Sequence, residues 1–144
     1  MFIADLHIHS KFSRATSSEM IVPKIAEYAR LKGISLLGSG DFTHPDWLVE
    51  LKKYLKDTGP GTYTYNGINF VLVTEVNNIY TRESRLRRIH NMIFAPSFEI
   101  AEKINNFLGK FGKLSADGRP TLSLDSYDMP VSYTHLRAHE TVLD

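Results

Sequence analysis

The sequence predicts an α/β domain, a parallel sheet or barrel whose strands alternate with crossover helices. Three observations predict it. The first elements read strand, helix, strand, helix, the order that feeds a parallel sheet. The helical stretches are apolar along one side only, as helices packed on a sheet must be. The residues able to carry chemistry fall near strand ends, where the loops of a βα barrel converge.

Residues 2–9 read as the first strand. Phe2, Ala4, Leu6 and Ile8 alternate with Ile3, Asp5, His7 and His9, so an extended chain sets two imidazoles on one face, roughly 7 Å apart. Residues 10–18 are polar, carry Lys11 and Arg14, and read as a loop. A helix opens at Ser18 or Ile21, tolerates Pro23 in its first turn, lines up Val22, Ile25, Ala26 and Ala29, and closes at Gly33. Residues 34–38 form a short buried strand and 39–44 a loop. Pro45 opens a second helix with Trp47, Leu48, Leu51, Tyr54 and Leu55 on one side, and 57–61 break it. Residues 62–65 and 68–76 flank Asn66-Gly67, the strongest short hairpin signal. Residues 77–88 read as a polar connection and 89–95 as a strand with His90 near its start. Ser97 caps a helix striped by Ile100, Ala101, Ile104, Leu108 and Phe111 and closed by Gly112. A loop over 113–120, a strand over 121–124 and the start of a helix over 125–128 follow.

Composition narrows the chemistry. The 144 residues suit one small domain or part of a larger one. A hydrophobic fraction of 42% supplies a core. The formal charge of +1 neither demands nor excludes nucleic acid. There is no cysteine, which rules out a disulfide, a thiolate nucleophile and a cysteine zinc site. Any metal must be held by His and carboxylates. No apolar run is long enough to cross a bilayer. Asp5 and His7 stand where a signal peptide would be apolar, so a cytoplasmic protein with no membrane partner is expected. There is no Gly-x4-Gly-Lys-Ser/Thr loop for nucleotide triphosphates.

Residues 130–141, Pro-Val-Ser-Tyr-Thr-His-Leu-Arg-Ala-His-Glu-Thr, read like the in-frame translation of a transposon-type sequencing adapter. The expected division is therefore 1–129 as the N-terminal portion of a metallohydrolase domain and 130–144 as a non-native tail. His135 and His139 are discounted as a metal pair on that ground, and the natural gene is expected to continue beyond about Met129.

The candidate site collects His7, His9, Asp41, His44, Glu75 and His90, all near ends or starts of predicted strands. His and carboxylate donors suit Zn²⁺, Mn²⁺ or Fe²⁺. Singly, each has an ordinary alternative: Asp41 as an acid near a helix start, Glu75 as a solvated strand end, His90 as an exposed histidine. Their common place relative to the strands is what joins them. Trp47 fits the apolar helix stripe better than a base-stacking role.

These motifs resemble the polymerase-and-histidinol-phosphatase (PHP) family. Asp5-Leu6-His7-Ile8-His9-Ser10 matches its first motif, residues 33–41 sit where its second lies, and Thr74-Glu75-Val76 matches its third. The usual Thr-Asp-His of the second motif is replaced by Ser39-Gly40-Asp41-Phe42-Thr43-His44, which leaves Asp41, His44 or both as ligands. Residues 38–47, Arg87-Arg88-Ile89-His90-Asn91, Phe94-Ala95-Pro96, 115–120 and 122–126 are similar, within that family, to the endonuclease Q enzymes. The resemblance implies the N-terminal part of a distorted (β/α)7 PHP barrel, truncated, with two or three divalent ions at the strands' C-terminal ends in the full-length parent. It implies metal-assisted phosphodiester hydrolysis that nicks DNA 5′ of deaminated bases (uracil, hypoxanthine, xanthine) or at abasic sites. His7, His9, Glu75, His90 and Asp41 would be catalytic and metal-holding, with His44 a further ligand. Lys11, Arg14, Arg87 and Arg88 would hold phosphates or the DNA backbone. The family's later His and Asp-x-His motifs have no counterpart before Pro130, so an incomplete site, poor solubility and no specific nicking by this chain are expected. The alternatives are a phosphatase of small monoesters from the same family and an inactive binding module.

Overall fold

The computed structural model describes residues 1–129; the stretch 130–144, read above as adapter-derived, lies outside them. The elements in chain order are β1 (Ala4–Asp5), α1 (Val22–Leu31), β2 (Leu36–Gly38), α2 (Pro45–Tyr54), β3 (Lys56–Gly59), β4 (Thr62–Tyr65), β5 (Ile68–Arg82), β6 (Arg85–Ala95), α3 (Phe98–Leu108), a single 3₁₀ turn (Leu114–Ala116) and β7 (Thr121–Leu122). The α/β expectation holds. The strands form an open sheet in the order β1-β2-β5-β4-β3, with β6 and β7 also on β5. It does not close into a barrel among the described residues.

β5 organises the molecule. Its first residues pair in parallel with β2 (Leu37 beside Phe70) and antiparallel with β4 (Tyr63 beside Phe70). Its later residues pair antiparallel with β6 over eleven registers, from Leu72–Ala95 to Arg82–Arg85, and in parallel with β7. Asn66-Gly67 makes the β4–β5 turn as expected, both residues with positive φ (50° and 79°).

Helices α1 and α2 are placed as the apolar periodicity predicts. Val22, Ile25, Ala26 and Ala29 are buried on α1, and Trp47, Leu48 and Leu51 on α2. Gly33 leaves α1 with φ of 71°, the left-handed conformation a glycine adopts without a Cβ clash. Trp47 is fully buried and its Nε1–H donates to the Gly40 carbonyl at 2.9 Å; it is core. Ser97 caps α3, its Oγ accepting from Ile100 N–H at 3.2 Å. One continuous apolar cluster joins α1, α2, α3 and the inner strand residues, including Leu72, Val76 and Leu122.

Three expectations are corrected. The first strand is two residues long rather than residues 2–9: among the described residues β1 has a neighbour on one side only, and Phe2 and Ile3 remain exposed at 69% and 41%. The second helix does end before residues 57–61, but the stretch that follows it is not irregular: residues 56–59 pair with β4, with a register shift between Asp57 and Gly59. Residues 77–88 are not a connection but the far half of a β-ribbon. It turns at Glu83-Ser84, both left-handed (φ 53° and 60°), and from Thr81 to Arg88 it stands in solvent, so that part needs no alternation of apolar residues.

Candidate metal centre

The site is assembled from the end of β1, the loop after β2, and the middle of the β5–β6 ribbon. Glu75 lies on β5 directly opposite Met92, and Asn77 lies opposite His90. His90 is therefore the diagonal, same-face neighbour of Glu75, and its Nδ1 lies 2.5 Å from Glu75 Oε1. The chain leaving β1 brings the two other imidazoles onto the second carboxylate oxygen. His7 Nε2 is 2.8 Å and His9 Nε2 3.0 Å from Glu75 Oε2. The rings of His7 and His9 meet edge to face at 5.3 Å between centroids, closer than strand rise alone predicts, because both residues lie beyond β1.

The loop after β2 supplies the second layer. Ser39 stitches it to β5: its N–H donates to Val71 O at 2.9 Å, and its Oγ accepts from Val73 N–H at 3.1 Å. Gly40 (φ 64°) then passes under the chain at Ile8, where a Cβ would stand 2.4 Å from the Ile8 carbonyl oxygen. Asp41 follows with φ of 49°, a conformation Asp tolerates better than most residues. Its carboxylate is fully buried and fully used. Oδ1 accepts from His9 Nδ1 at 2.9 Å. Oδ2 accepts from Ser10 N–H (2.6 Å), Ser10 Oγ–H (2.7 Å) and Ser13 Oγ–H (2.9 Å).

Since a carboxylate only accepts, His9 must carry a proton on Nδ1. Its Nε2 is thereby aimed at Glu75. The hydrogen bond to Asp41 raises the His9 pKa above 6.5; burial opposes this, and the charges of Asp41 and Glu75 add to it. Burial pushes the Asp41 carboxyl up, but the bonds from His9, Ser10 and Ser13 outweigh it and hold the carboxyl below 3.8. Burial likewise raises Glu75, and the bonds from His7 and His90 more than reverse that, leaving it below 4.5.

Donor set and spacing fit a divalent ion. One atom each from His7, His9 and Glu75 can be chosen so that all lie within 4.8 Å of one another. Tetrahedral zinc, with bonds of about 2.0–2.1 Å, separates its ligand atoms by about 3.3 Å. A carboxylate on the far nitrogen of a ligating histidine, as Asp41 is on His9, is the usual outer support of such a site.

The other residues singled out from sequence fall as follows. His44 stands at the N-cap of α2, 5% exposed, its ring stacked on Phe12 at 4.3 Å and its Nδ1 buried without a partner among the described residues. It is not in the convergent group. Lys11 is engaged by Glu50 at 2.7 Å, and Arg14 by Asp117 at 3.3 Å. By strand alternation Arg88 shares the face of β6 that carries His90, and Arg87 points to the opposite face. Three residues escaped the sequence reading. Ser10 and Ser13 cage Asp41; only their nearness to the His-x-His stretch could have marked them. Arg119, whose guanidinium reaches 3.9 Å from Glu75 Oε1, was marked only by lying within 115–120, a stretch similar to the endonuclease Q enzymes.

No family model matches the chain. It is 36% identical over 126 residues to an uncharacterised protein of Methanocaldococcus jannaschii, an alignment covering 87% of this chain and 14% of that one. It resembles the crystal structure of a lesion-specific endonuclease Q from Pyrococcus furiosus, with a TM-score of 0.81 and 34% identity over 92% of this chain and 32% of that one. It also resembles endonuclease Q in complex with a 27-mer duplex carrying an abasic lesion at the active site (TM-score 0.82, 34% identity, the same coverage). The likeness to endonuclease Q holds in both sequence and fold. The chain spans about a third of the endonuclease Q chains and about a seventh of the curated relative. No helix among the described residues is long and apolar enough to cross a membrane.

Proposed function

We propose that this chain carries the first metal-binding half of a DNA-repair endonuclease. That parent nicks duplex DNA 5′ of deaminated bases or at abasic sites, by phosphodiester hydrolysis at a PHP-type centre holding Zn²⁺, Mn²⁺ or Fe²⁺. The observation that carries the reading is the meeting of His7 Nε2 and His9 Nε2 on one oxygen of Glu75, in a fold like that of endonuclease Q.

The ions, when bound, would supply an acidified water and positive charge beside the attacked phosphorus. The chain's own residues do the rest. His7, His9 and Glu75 would hold the first ion, and His90, on the other Glu75 oxygen, would add a donor to the set. Asp41 acts on His9 from behind, fixing which nitrogen is free to bind. Arg88, on the ribbon face that carries His90, and Arg87, on the opposite face, are left for the phosphate backbone of the duplex. Lys11 and Arg14 must first release Glu50 and Asp117 to do the same.

The test has two parts. Equilibrium dialysis of the chain against Zn²⁺ or Mn²⁺ should find bound metal, lost on His7→Ala and on Glu75→Gln. The gene product extended to the length of endonuclease Q should nick abasic or deoxyuridine duplex, lose that activity to a chelator, and leave nitrophenyl phosphate uncleaved. Absence of metal from the purified chain, or nicking that survives His7→Ala, would overturn the proposal.

A further inference from the structure

Arg119 lies in the stretch 115–120, to which the sequence reading gave a resemblance but no role. Its guanidinium lies 3.9 Å from Glu75 Oε1, beyond hydrogen-bond range. Glu75 is already occupied, Oε1 by His90 and Oε2 by His7 and His9. Arg119 makes no side-chain hydrogen bond to any described residue, and 44% of its side chain is open. Other cations nearby are spoken for: Lys11 by Glu50, Arg14 by Asp117, and Arg82 by Asp125 and the ring of Tyr127.

The backbone that carries Arg119 is fixed on both sides. Gly118 is buried and its N–H donates to Phe12 O at 3.0 Å. It packs so closely on the Asp41 cage that a Cβ would stand 2.3 Å from Asp41 Oδ2 and 2.4 Å from Ser13 Oγ. On the other side Pro120 is buried and its carbonyl accepts from Asn77 N–H at 2.9 Å, two residues along β5 from Glu75. Arg119 N–H itself donates to Asp117 Oδ1 at 2.9 Å. The same Asp41 cage that orients His9 and the same strand that carries Glu75 therefore locate this guanidinium. A half-exposed side chain on a fixed backbone, held only by a long 3.9 Å ion pair to a carboxylate that three imidazoles already occupy, is a built position for an anion.

We propose that Arg119 is the phosphate-binding residue of the site, its planar fork donating to the two non-bridging oxygens of the phosphodiester to be cleaved. This rests on the phosphodiesterase reading above. It requires no proton transfer, since a guanidinium stays charged.

The experiment titrates the zinc-loaded chain with the dinucleotide thymidylyl-(3′→5′)-thymidine, following the arginine Nε–Hε NMR signals and, separately, zinc affinity by calorimetry. The Arg119 signal should move with the dinucleotide. Arg119→Ala should weaken dinucleotide binding by about tenfold or more, and Arg119→Lys by less, since lysine keeps the charge and loses the fork. Zinc affinity should change far less than dinucleotide affinity. If Arg119→Ala titrates like the parent chain, or loses zinc and dinucleotide in equal proportion, the assignment is overturned, because Arg119 then acts only through Glu75. Should circular dichroism find Arg119→Ala unfolded, Arg119→Gln gives the same comparison. A chain that binds no zinc sinks the metal reading alone; the dinucleotide titration of the metal-free chain still decides Arg119.

Discussion

Replacing Asp41 by Asn tests whether that carboxylate sets the chemistry of His9. The side chain is fully buried and accepts four hydrogen bonds, three of them at Oδ2. Asparagine keeps those three only if its carbonyl oxygen takes the Oδ2 position. Its NH₂ then faces His9 Nδ1, where the carboxylate had accepted. Two donors cannot share that bond, so His9 moves its proton to Nε2, the nitrogen that faces Glu75. A protonated Nε2 cannot ligate a metal. Loss of such an outer carboxylate weakens metal binding by about 10–100-fold in known sites, and the tautomer change places this variant at the upper end. Weakened charge-assisted bonds cost about 1–3 kcal/mol of stability as well. The assay is zinc calorimetry combined with ¹⁵N NMR of the His9 ring in the metal-free variant. Zinc affinity within about twofold of the parent chain, or a proton still on Nδ1, would refute the reasoning, since either leaves Asp41 with no hold on the tautomer.

Three further outcomes are expected. Zinc must displace a proton from His9, whose pKa is raised above 6.5 by its Asp41 bond; zinc affinity should therefore fall as pH drops below that raised value, by up to about tenfold per pH unit, which a calorimetric pH series reads. In the metal-free chain the His9 contribution to stability is full below 6.5 and fades as pH rises through the raised value, whereas those of Asp41 and Glu75, whose pKa values are depressed, hold above 3.8 and 4.5 and are lost only as pH falls below the ordinary carboxylate range. Ser97→Ala, which removes the α3 cap bond to Ile100, should cost about 0.5–2 kcal/mol in chemical denaturation and leave zinc affinity unchanged; a change in zinc affinity would mean that α3 and the site are coupled.

Much of the architecture could be read locally. Helices α1 and α2 show as apolar periodicity because one face of each must be buried, and Val22, Ile25, Ala29, Trp47 and Leu51 are buried as read. Asn66-Gly67 forecasts its hairpin because few other pairs accept two left-handed residues cheaply. The outer half of the β5–β6 ribbon was not legible. From Thr81 to Arg88 its residues pair along the backbone while both side-chain faces meet water, so no pattern distinguishes that stretch from a loop. The turn at Glu83-Ser84 also lacks the glycine that would have announced it.

By itself the sequence determined the chemical inventory: His and carboxylate donors, no thiol, and a His-x-His stretch entering an α/β fold. It also placed Glu75 and His90 on strands, because strand residues carry that information in their own neighbourhood. Only the tertiary structure decided which atoms meet. It put Nε2 of both His7 and His9 on Glu75, turned Asp41 away into a cage of Ser10 and Ser13, buried His44 against Phe12, and brought Arg119 from the far end of the described chain to the rim of the site. Those outcomes depend on contacts between residues 28 to 68 positions apart. No local propensity encodes such partners; they follow from where β5 runs, and from what it pairs with on each side.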